Sequence, residues 1–542
     1  MKHIFSASSL ATLVAAGPLA IRQNNSTTNG SVDSFADVPI TKDAQWTTCL
    51  GGDYTCLNLE VPLDYDQPEI GTTNVAFLRL EASTQPALGD IIINPGGPGG
   101  SGVYTILNPT AWIGLLGTKY NLIGMDPRSV NNSGPNVDPL IDTPAARDDY
   151  VLRMADEYDY KSPAAVNRAW VHAGAYGDFA AQRLSNDTNY VNTPAVARDM
   201  LRFTELVAES RGEDPESAKL NFFGVSYGSI LGTTFAQLFP DRVGRMIIDG
   251  IMDPSDYYDG AWIQSVNQAD DAVRGFASHC FEAGSKCAFY ANDTNPGAIL
   301  QRLDTILRNL EENPLPHSDP SPGALPAVLT HMDLRNLIMW ASYSPYARSP
   351  ALASALAELE VGVGTTLAGL SSKGVIRAAD CDGPVPAYSL VLSKFATACN
   401  DMDGRYNISS AAAYGEYIGK LEGVSSYIGG AWARVITLYC HNHQFSPPAS
   451  QKLSGRSYKE VTTVNPILFV SNTIDPVTSS LDSMIEFFPG AGSFYQNAVG
   501  HGVIGTKSNC TSEHLIRYME TGELPPPDLV CEPNTKVFDD VV

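Results

Sequence analysis

Apolar residues follow two rhythms along this chain. In one, short unbroken runs end in glycine, proline or aspartate. In the other, apolar positions return every three or four residues. The unbroken runs are DIIINPGG (Asp90–Gly97), YNLIGMDPRS (Tyr120–Ser129), LNFFGV (Leu220–Val225) and RVGRMIIDG (Arg242–Gly250). Runs of that length predict strands buried on both faces, as in a parallel sheet. Between them, the stretch Thr193–Ser210 brings Val196, Met200, Phe203 and Val207 onto one helical face. A further helix is predicted from Tyr227 to Leu238, directly after the strand Leu220–Val225. Upstream, CLNLEVPLDY and NVAFLRLEA read as two strands joined by a Pro/Gly turn. Strand–helix–strand repetition predicts an α/β fold, a mostly parallel sheet with helices on both faces.

The pattern changes after residue 254. Residues 255–445 hold helix-like segments, including Ala261–Ala283, Pro296–Asn313 and Met332–Ser344, interrupted by the loop NPLPHSDPSPGALP. Strand-then-loop logic returns at Pro466–Asp475 and Gly492–Gly502. The expected organisation is therefore a core in two parts, 45–254 and 446–542, with a large, mainly helical cap inserted at 255–445. Residues 1–20 have a basic start, an apolar stretch and then small residues, which predicts a secretory signal cleaved after Ala16 or Ala20. The polar segment 21–44 is expected to be a flexible N-terminus.

Composition sharpens this picture. The 542 residues carry a net charge of −24, which disfavours nucleic acid and anionic membranes as partners. No later segment has the roughly 18 unbroken apolar residues of a spanning helix. Sequons at Asn24, Asn25, Asn29, Asn131, Asn186, Asn292, Asn407 and Asn509 fit an exported, glycosylated protein. Nine cysteines then favour disulfides. The close pairs Cys49–Cys56 and Cys280–Cys287 are expected, with Cys510–Cys531 bracing the C-terminal tail. Cys381, Cys399 and Cys440 are left with their pairing open. His441-x-His443 stands without the further ligands a zinc site needs.

The candidate chemistry lies in Gly224-Val225-Ser226-Tyr227-Gly228, between a predicted strand and a predicted helix. A serine nucleophile needs such a tight strand-to-helix turn to lift its oxygen out of the sheet, and flanking glycines leave room for it. It also needs a base and an orienting carboxylate. His501, in the glycine-flanked loop VGHGV, and Asp475, at the end of PILFVSNTID, supply them in the order serine, acid, histidine. His514 and Asp482, each within a helix-like stretch, are the weaker alternatives. The glycine loop NPGGPGGSG (Asn94–Gly102) follows a buried strand and fits an oxyanion hole formed by Gly96, Gly97 and the amide of Tyr227. It lacks the Gly-Lys-Ser/Thr of a phosphate-cradling loop. This chemistry calls for no cofactor and no metal.

NPGGPGGSG, GMDPRSV, GVSYGSILGTTFAQLFPDRVGRMIIDGIMDP, TIDPVTS and GHG occur in that order. Together they resemble the secreted microbial tripeptidyl-aminopeptidase-like serine peptidases, relatives of prolyl iminopeptidase. The resemblance spans roughly residues 45–535. It implies the α/β-hydrolase fold, with Ser226 as nucleophile, Asp475 as acid, His501 as base, and Gly96, Gly97 and Tyr227 around the oxyanion. Pro95 stands where prolyl iminopeptidases carry histidine, which points to the tripeptidyl-aminopeptidase branch. In that family acidic cap residues bind the substrate's free amino group, and no particular glutamate here matches them. The implied function is a secreted serine hydrolase that releases short peptides or residues from free amino termini through an acyl-enzyme. Two alternatives share the sequence features: a carboxylesterase or lactonase acting on a small ester, and a non-catalytic binding protein on the same scaffold.

Overall fold

The computed structural model describes residues 31–154, 159–320, 325–371 and 388–539. Its main sheet holds eight long strands: β1 (Tyr54–Pro62), β2 (Thr72–Leu80), β3 (Asp90–Asn94), β4 (Asn121–Asp126), β5 (Leu220–Val225), β6 (Val243–Asp249), β7 (Leu468–Ile474) and β8 (Gly492–Val499). Their order is β1-β2-β4-β3-β5-β6-β7-β8. The first two strands run antiparallel, and every pair from β4 to β8 is parallel. Short strands Ile40–Thr41, Thr47–Cys49 and Val530–Cys531 extend the edges.

The unbroken apolar runs have a simple cause. Ile91 and Ile93 pack into one buried layer and Ile92 into the other; Phe223 and Phe222, and Ile247 and Ile248, divide in the same way. Alternate side chains point to opposite faces of a strand, so a sheet covered on both sides needs apolar residues at every position. One face is covered by α1 (Gly102–Ile106) and the C-terminal α11 (Asn509–Thr521), the other by α3 (Thr193–Ser210) and α4 (Tyr227–Leu238).

Six labelled cap helices follow β6: α5 (Ala269–Ala283), α6 (Pro296–Glu312), α7 (His331–Tyr343), α8 (Pro345–Glu360), α9 (Leu390–Met402) and α10 (Ala411–Val424). The helical character expected there is present, but a small antiparallel hairpin, Leu315–His317 with Ala327–Leu329, interrupts it. The cap also draws on a segment the sequence pattern left unread. Helix α2 (Pro163–Arg183), from the β4–α3 connection, packs against the cap. The Trp170 indole donates to the Ile408 carbonyl at 3.0 Å, and its ring stacks on His441.

The flexible N-terminus expected at 21–44 is corrected for residues 31–44. Val32 bridges to Cys49, Ile40 and Thr41 pair with Asn58 and Leu59, and Phe35 is buried. The open edge of β1 supplies backbone partners, and Phe35 and Val38 join the adjacent apolar layer. Residues 1–30, with the signal segment and the sequons Asn24, Asn25 and Asn29, lie outside the described residues. Among the described residues four disulfides form: Cys49–Cys56, Cys280–Cys287, Cys399–Cys440 and Cys510–Cys531. Cys381 also lies outside the described residues.

Candidate active site

Ser226 is the hinge between β5 and α4, with φ 60° and ψ −122°, a region L-residues rarely occupy. The turn closes because two glycines allow it. A Cβ on Gly224 would lie 2.2 Å from the Gly228 carbonyl oxygen. The Ser226 amide donates to the Asp249 carbonyl at 3.0 Å, which fixes the elbow to the end of β6.

Asp475 and His501 come from the loops after β7 and β8, at the same C-terminal edge of the sheet. Nδ1 of His501 lies 3.1 Å from both carboxylate oxygens of Asp475. Asp475 is fully buried, and its carboxylate also accepts the amides of Val477, Thr478 and Gly502. With Nδ1–H directed at this carboxylate, Nε2 is left as the basic nitrogen. Gly250 lies between the base and the elbow: a Cβ there would be 3.3 Å from Cε1 of His501 and 3.4 Å from the Ser226 nitrogen. Burial disfavours the imidazolium, but the Asp475 charge and hydrogen bond, helped by Asp249, outweigh it and hold His501 above its ordinary pKa.

Several residues that hold the expected base, His501, carry no signal in the sequence. Asn472 donates to the Gly500 and Gly502 carbonyls, each at 2.9 Å, and so clasps the histidine loop from both sides. The His501 amide donates to the Tyr343 carbonyl at 2.9 Å, and the Tyr343 ring meets the imidazole edge to face, 5.0 Å between centroids. The Thr478 hydroxyl lies 3.0 Å from Nδ1. Buried Asp249 accepts the Val503 amide, and burial pushes its carboxyl up to about 7. Asn472 and Asp249 sit in strands that read only as apolar runs, Tyr343 ends α7 and Thr478 lies in a loop, so they meet in three dimensions alone.

The glycine loop presses on the elbow from the β3 side. A Cβ on Gly96 would lie 2.8 Å from Cβ of Ser226 and 2.5 Å from the Val225 carbonyl oxygen. The Gly96 amide donates to the Asn94 side chain at 3.0 Å, so this expected donor is already engaged. Among the described residues no acceptor stands against the amides of Gly97 and Tyr227, the remaining pair of expected donors. The far end of the loop is clasped by buried Asp126, which accepts Ser101 Oγ at 2.5 Å, the Val103 amide and the Asn132 side chain. Burial pushes the Asp126 carboxyl up to about 6. Arg128 of the same GMDPRS run forms a buried bidentate pair with Asp199 of α3. That run therefore shapes the scaffold around the site.

The alternatives lie elsewhere. His514 on α11 faces Phe494, and Asp482 accepts the Tyr495 hydroxyl. His443 is hydrogen-bonded to Asn400, and burial pushes it down to about 4. Among the described residues no group of three His, Cys, Asp or Glu side chains is placed to hold a metal. Of the described sequons, Asn186, Asn292, Asn407 and Asn509 are exposed. The Asn131 amide nitrogen instead donates to Asp126 at 3.2 Å.

Comparison with known proteins agrees with this fold. Residues 91–291 match the family described as alpha/beta hydrolase fold, and residues 425–531 match the family described as TAP-like protein. The chain has the α/β-hydrolase fold, and its C-terminal part is similar to the TAP-like family. The two matches together include the elbow, the acid and the histidine loop, and the intervening 292–424 falls within the cap. The serine protease Hip1 of Mycobacterium tuberculosis is 25% identical over 525 residues, 92% of each chain. A tripeptidyl aminopeptidase of Streptomyces lividans is 32% identical over 227 residues, 41% of this chain and 39% of its own length. A protein named carboxylesterase B from Mycobacterium tuberculosis is 26% identical over 504 residues, 88% of this chain and 86% of its own.

Proposed function

We propose that this serine hydrolase is a secreted exopeptidase that releases short peptides from free amino termini. What supports the chemistry is that Ser226, in a strained elbow after β5, and His501, held by the buried Asp475 carboxylate after β8, follow strands of the same parallel sheet. His501 Nε2 takes the proton as Ser226 Oγ attacks the carbonyl carbon. Negative charge gathers on the carbonyl oxygen, and the Gly97 and Tyr227 amides stabilise it. The imidazolium, stabilised by Asp475, then protonates the leaving amine. Water, deprotonated by the same nitrogen, releases the acyl group.

The peptide reading is supported by the relatives named serine protease and tripeptidyl aminopeptidase. The inserted cap fits a cleft closed at one end, which suits chain ends better than the middle of a chain. A net charge of −24 favours an ammonium group on the substrate. Export is supported by four disulfides, and among the described residues no helix is long and apolar enough to cross a membrane. Exposed Asn186, Asn292, Asn407 and Asn509 are the proposed glycan sites. The relative named carboxylesterase B favours a second reading, an ester substrate for the same residues. Matched tripeptide chromogenic amides, one with a free amine and one acetylated, separate the two when run beside a short-chain aryl ester. Preference for the free amine supports the exopeptidase; cleavage of the ester alone, or indifference to acetylation, supports the esterase.

A further inference from the structure

The oxyanion donors sit on two different segments, the glycine loop and the first turn of α4. One cap helix, α9, reaches both. At its N-terminal end α9 is packed directly on the glycine loop, because a Cβ on Gly99 would lie 2.7 Å from the Leu390 carbonyl oxygen and 3.0 Å from the Lys394 nitrogen. Just before the helix, the Tyr388 hydroxyl donates to the Gly99 carbonyl at 3.2 Å. Within its first turn, Ser393 donates to the Ser129 carbonyl at 2.6 Å.

The last turn of α9 carries Asp401, 4% exposed. Its carboxylate accepts the Thr193 amide at 2.9 Å, the Thr193 hydroxyl at 2.5 Å and the Tyr257 hydroxyl at 2.7 Å. Thr193 Oγ1 is in turn 2.7 Å from the hydroxyl of Tyr227. A threonine hydroxyl has one proton, and here it goes to Asp401, so Tyr227 is the donor to Thr193. Tyr227 is thus fixed at both ends, by the elbow at its backbone and by this buried relay at its phenol. Such a network earns little from mere stability: three hydroxyls and a carboxylate are costly to bury unless all are satisfied.

We propose that Asp401 is a positioning residue for the oxyanion hole, acting from the cap through Thr193 to fix Tyr227 and hence its amide. This rests on the reading of Ser226 as nucleophile and of the Tyr227 amide as an oxyanion donor. Removing the relay leaves every reacting group in place but lets the amide shift, and small displacements of an oxyanion donor are costly to rate rather than to ground-state binding.

The test is inactivation by a fluorophosphonate, whose phosphoryl oxygen occupies the oxyanion position whether the natural substrate is a peptide or an ester. Thr193→Val, Tyr227→Phe and Asp401→Asn should each lower the limiting inactivation rate about 10- to 100-fold. The half-saturating reagent concentration should stay within about two-fold, and labelling should still reach one adduct per folded chain. Thr193→Ser, which keeps the hydroxyl, should recover most of the rate. The double variant Thr193→Val/Tyr227→Phe should fall no further than either single one, since both cut the same link. Variants that lose only melting temperature or labelled fraction, with an unchanged limiting rate, overturn the proposal, and so do additive losses. A wild-type chain that takes no label at Ser226 overturns the underlying hydrolase reading instead.

Discussion

Ser226 holds a backbone conformation that costs a non-glycine residue about 1–3 kcal/mol, and the neighbouring contacts over-determine it. If that strain serves an exposed nucleophile, Ser226→Ala should lose roughly 10⁶-fold in turnover while the circular dichroism spectrum and melting curve stay unchanged. Asp475→Asn should lose about 10⁴-fold, because the imidazole loses both its orientation and the charge that stabilises its cation. The pH profile separates these effects. If His501 is the base it must be neutral to act, so kcat/KM should rise with pH through its raised pKa. In residual Asp475→Asn activity that limb should move to lower pH; a stationary limb would assign it to another group. The stabilising part of the ion pair is complete below the ordinary imidazole pKa and is lost as pH rises through the folded value. Asp249 has the opposite chemistry and the same direction. Buried, with its carboxyl pushed up to about 7, it keeps a proton that the unfolded chain loses near pH 4. Stability should therefore fall as pH rises from about 4 through 7. Asp249→Asn, which can still accept the Val503 amide, should flatten that decline when urea midpoints are compared at pH 5 and pH 8.

At the scale of elements, the sheet was the most legible part of the sequence. Runs such as Ile91–Ile93 and Phe222–Phe223 need both faces covered, and no other placement buries them all. The helix Thr193–Ser210 shows its buried face in the spacing of Val196, Met200, Phe203 and Val207. Helix α2 escaped notice because much of its buried face is alanine and glycine: Ala165, Ala173, Gly177 and Ala180 let neighbours approach closely without marking an apolar stripe. Strand-end context and order single out Ser226, Asp475 and His501, and each follows a strand of the parallel part of the sheet. The residues packed around them are not singled out, since Asn472 and Asp249 lie in strands, Tyr343 ends a cap helix and Thr478 lies in a loop, and no local pattern encodes their meeting. The Cys399–Cys440 pairing was likewise open until α9 was placed beside the short helix Thr437–Cys440. Replacing both cysteines by serine should cost about 2–4 kcal/mol in denaturant unfolding. The glycine loop offers a sharper test of contact between elements. Gly96→Ala puts a methyl group into the elbow at φ +95°, and should lower activity at least 100-fold, well beyond its effect on the melting temperature.

For the whole molecule, cap and core form one body, since a continuous apolar cluster runs from Phe222 and Ile248 in the sheet to Leu356 and Tyr414 in the cap. The acidic balance of 59 Asp and Glu against 35 Lys and Arg acts over longer range. It should raise kcat/KM for a free-amine peptide at low ionic strength, and salt should remove that advantage as the screening length shrinks to about 3 Å near 1 M. The acetylated peptide should show little of this salt dependence. Beneath these specificity questions lies the claim that Ser226 is the nucleophile of a working triad. The most direct measurement is fluorophosphonate labelling followed by peptide mass mapping of the wild type, Ser226→Ala and His501→Ala. One adduct per chain is expected, on Ser226, with none in Ser226→Ala and labelling of His501→Ala slowed by several orders of magnitude. An unlabelled wild type, an adduct on another residue, or a His501→Ala variant that labels at the wild-type rate would contradict it.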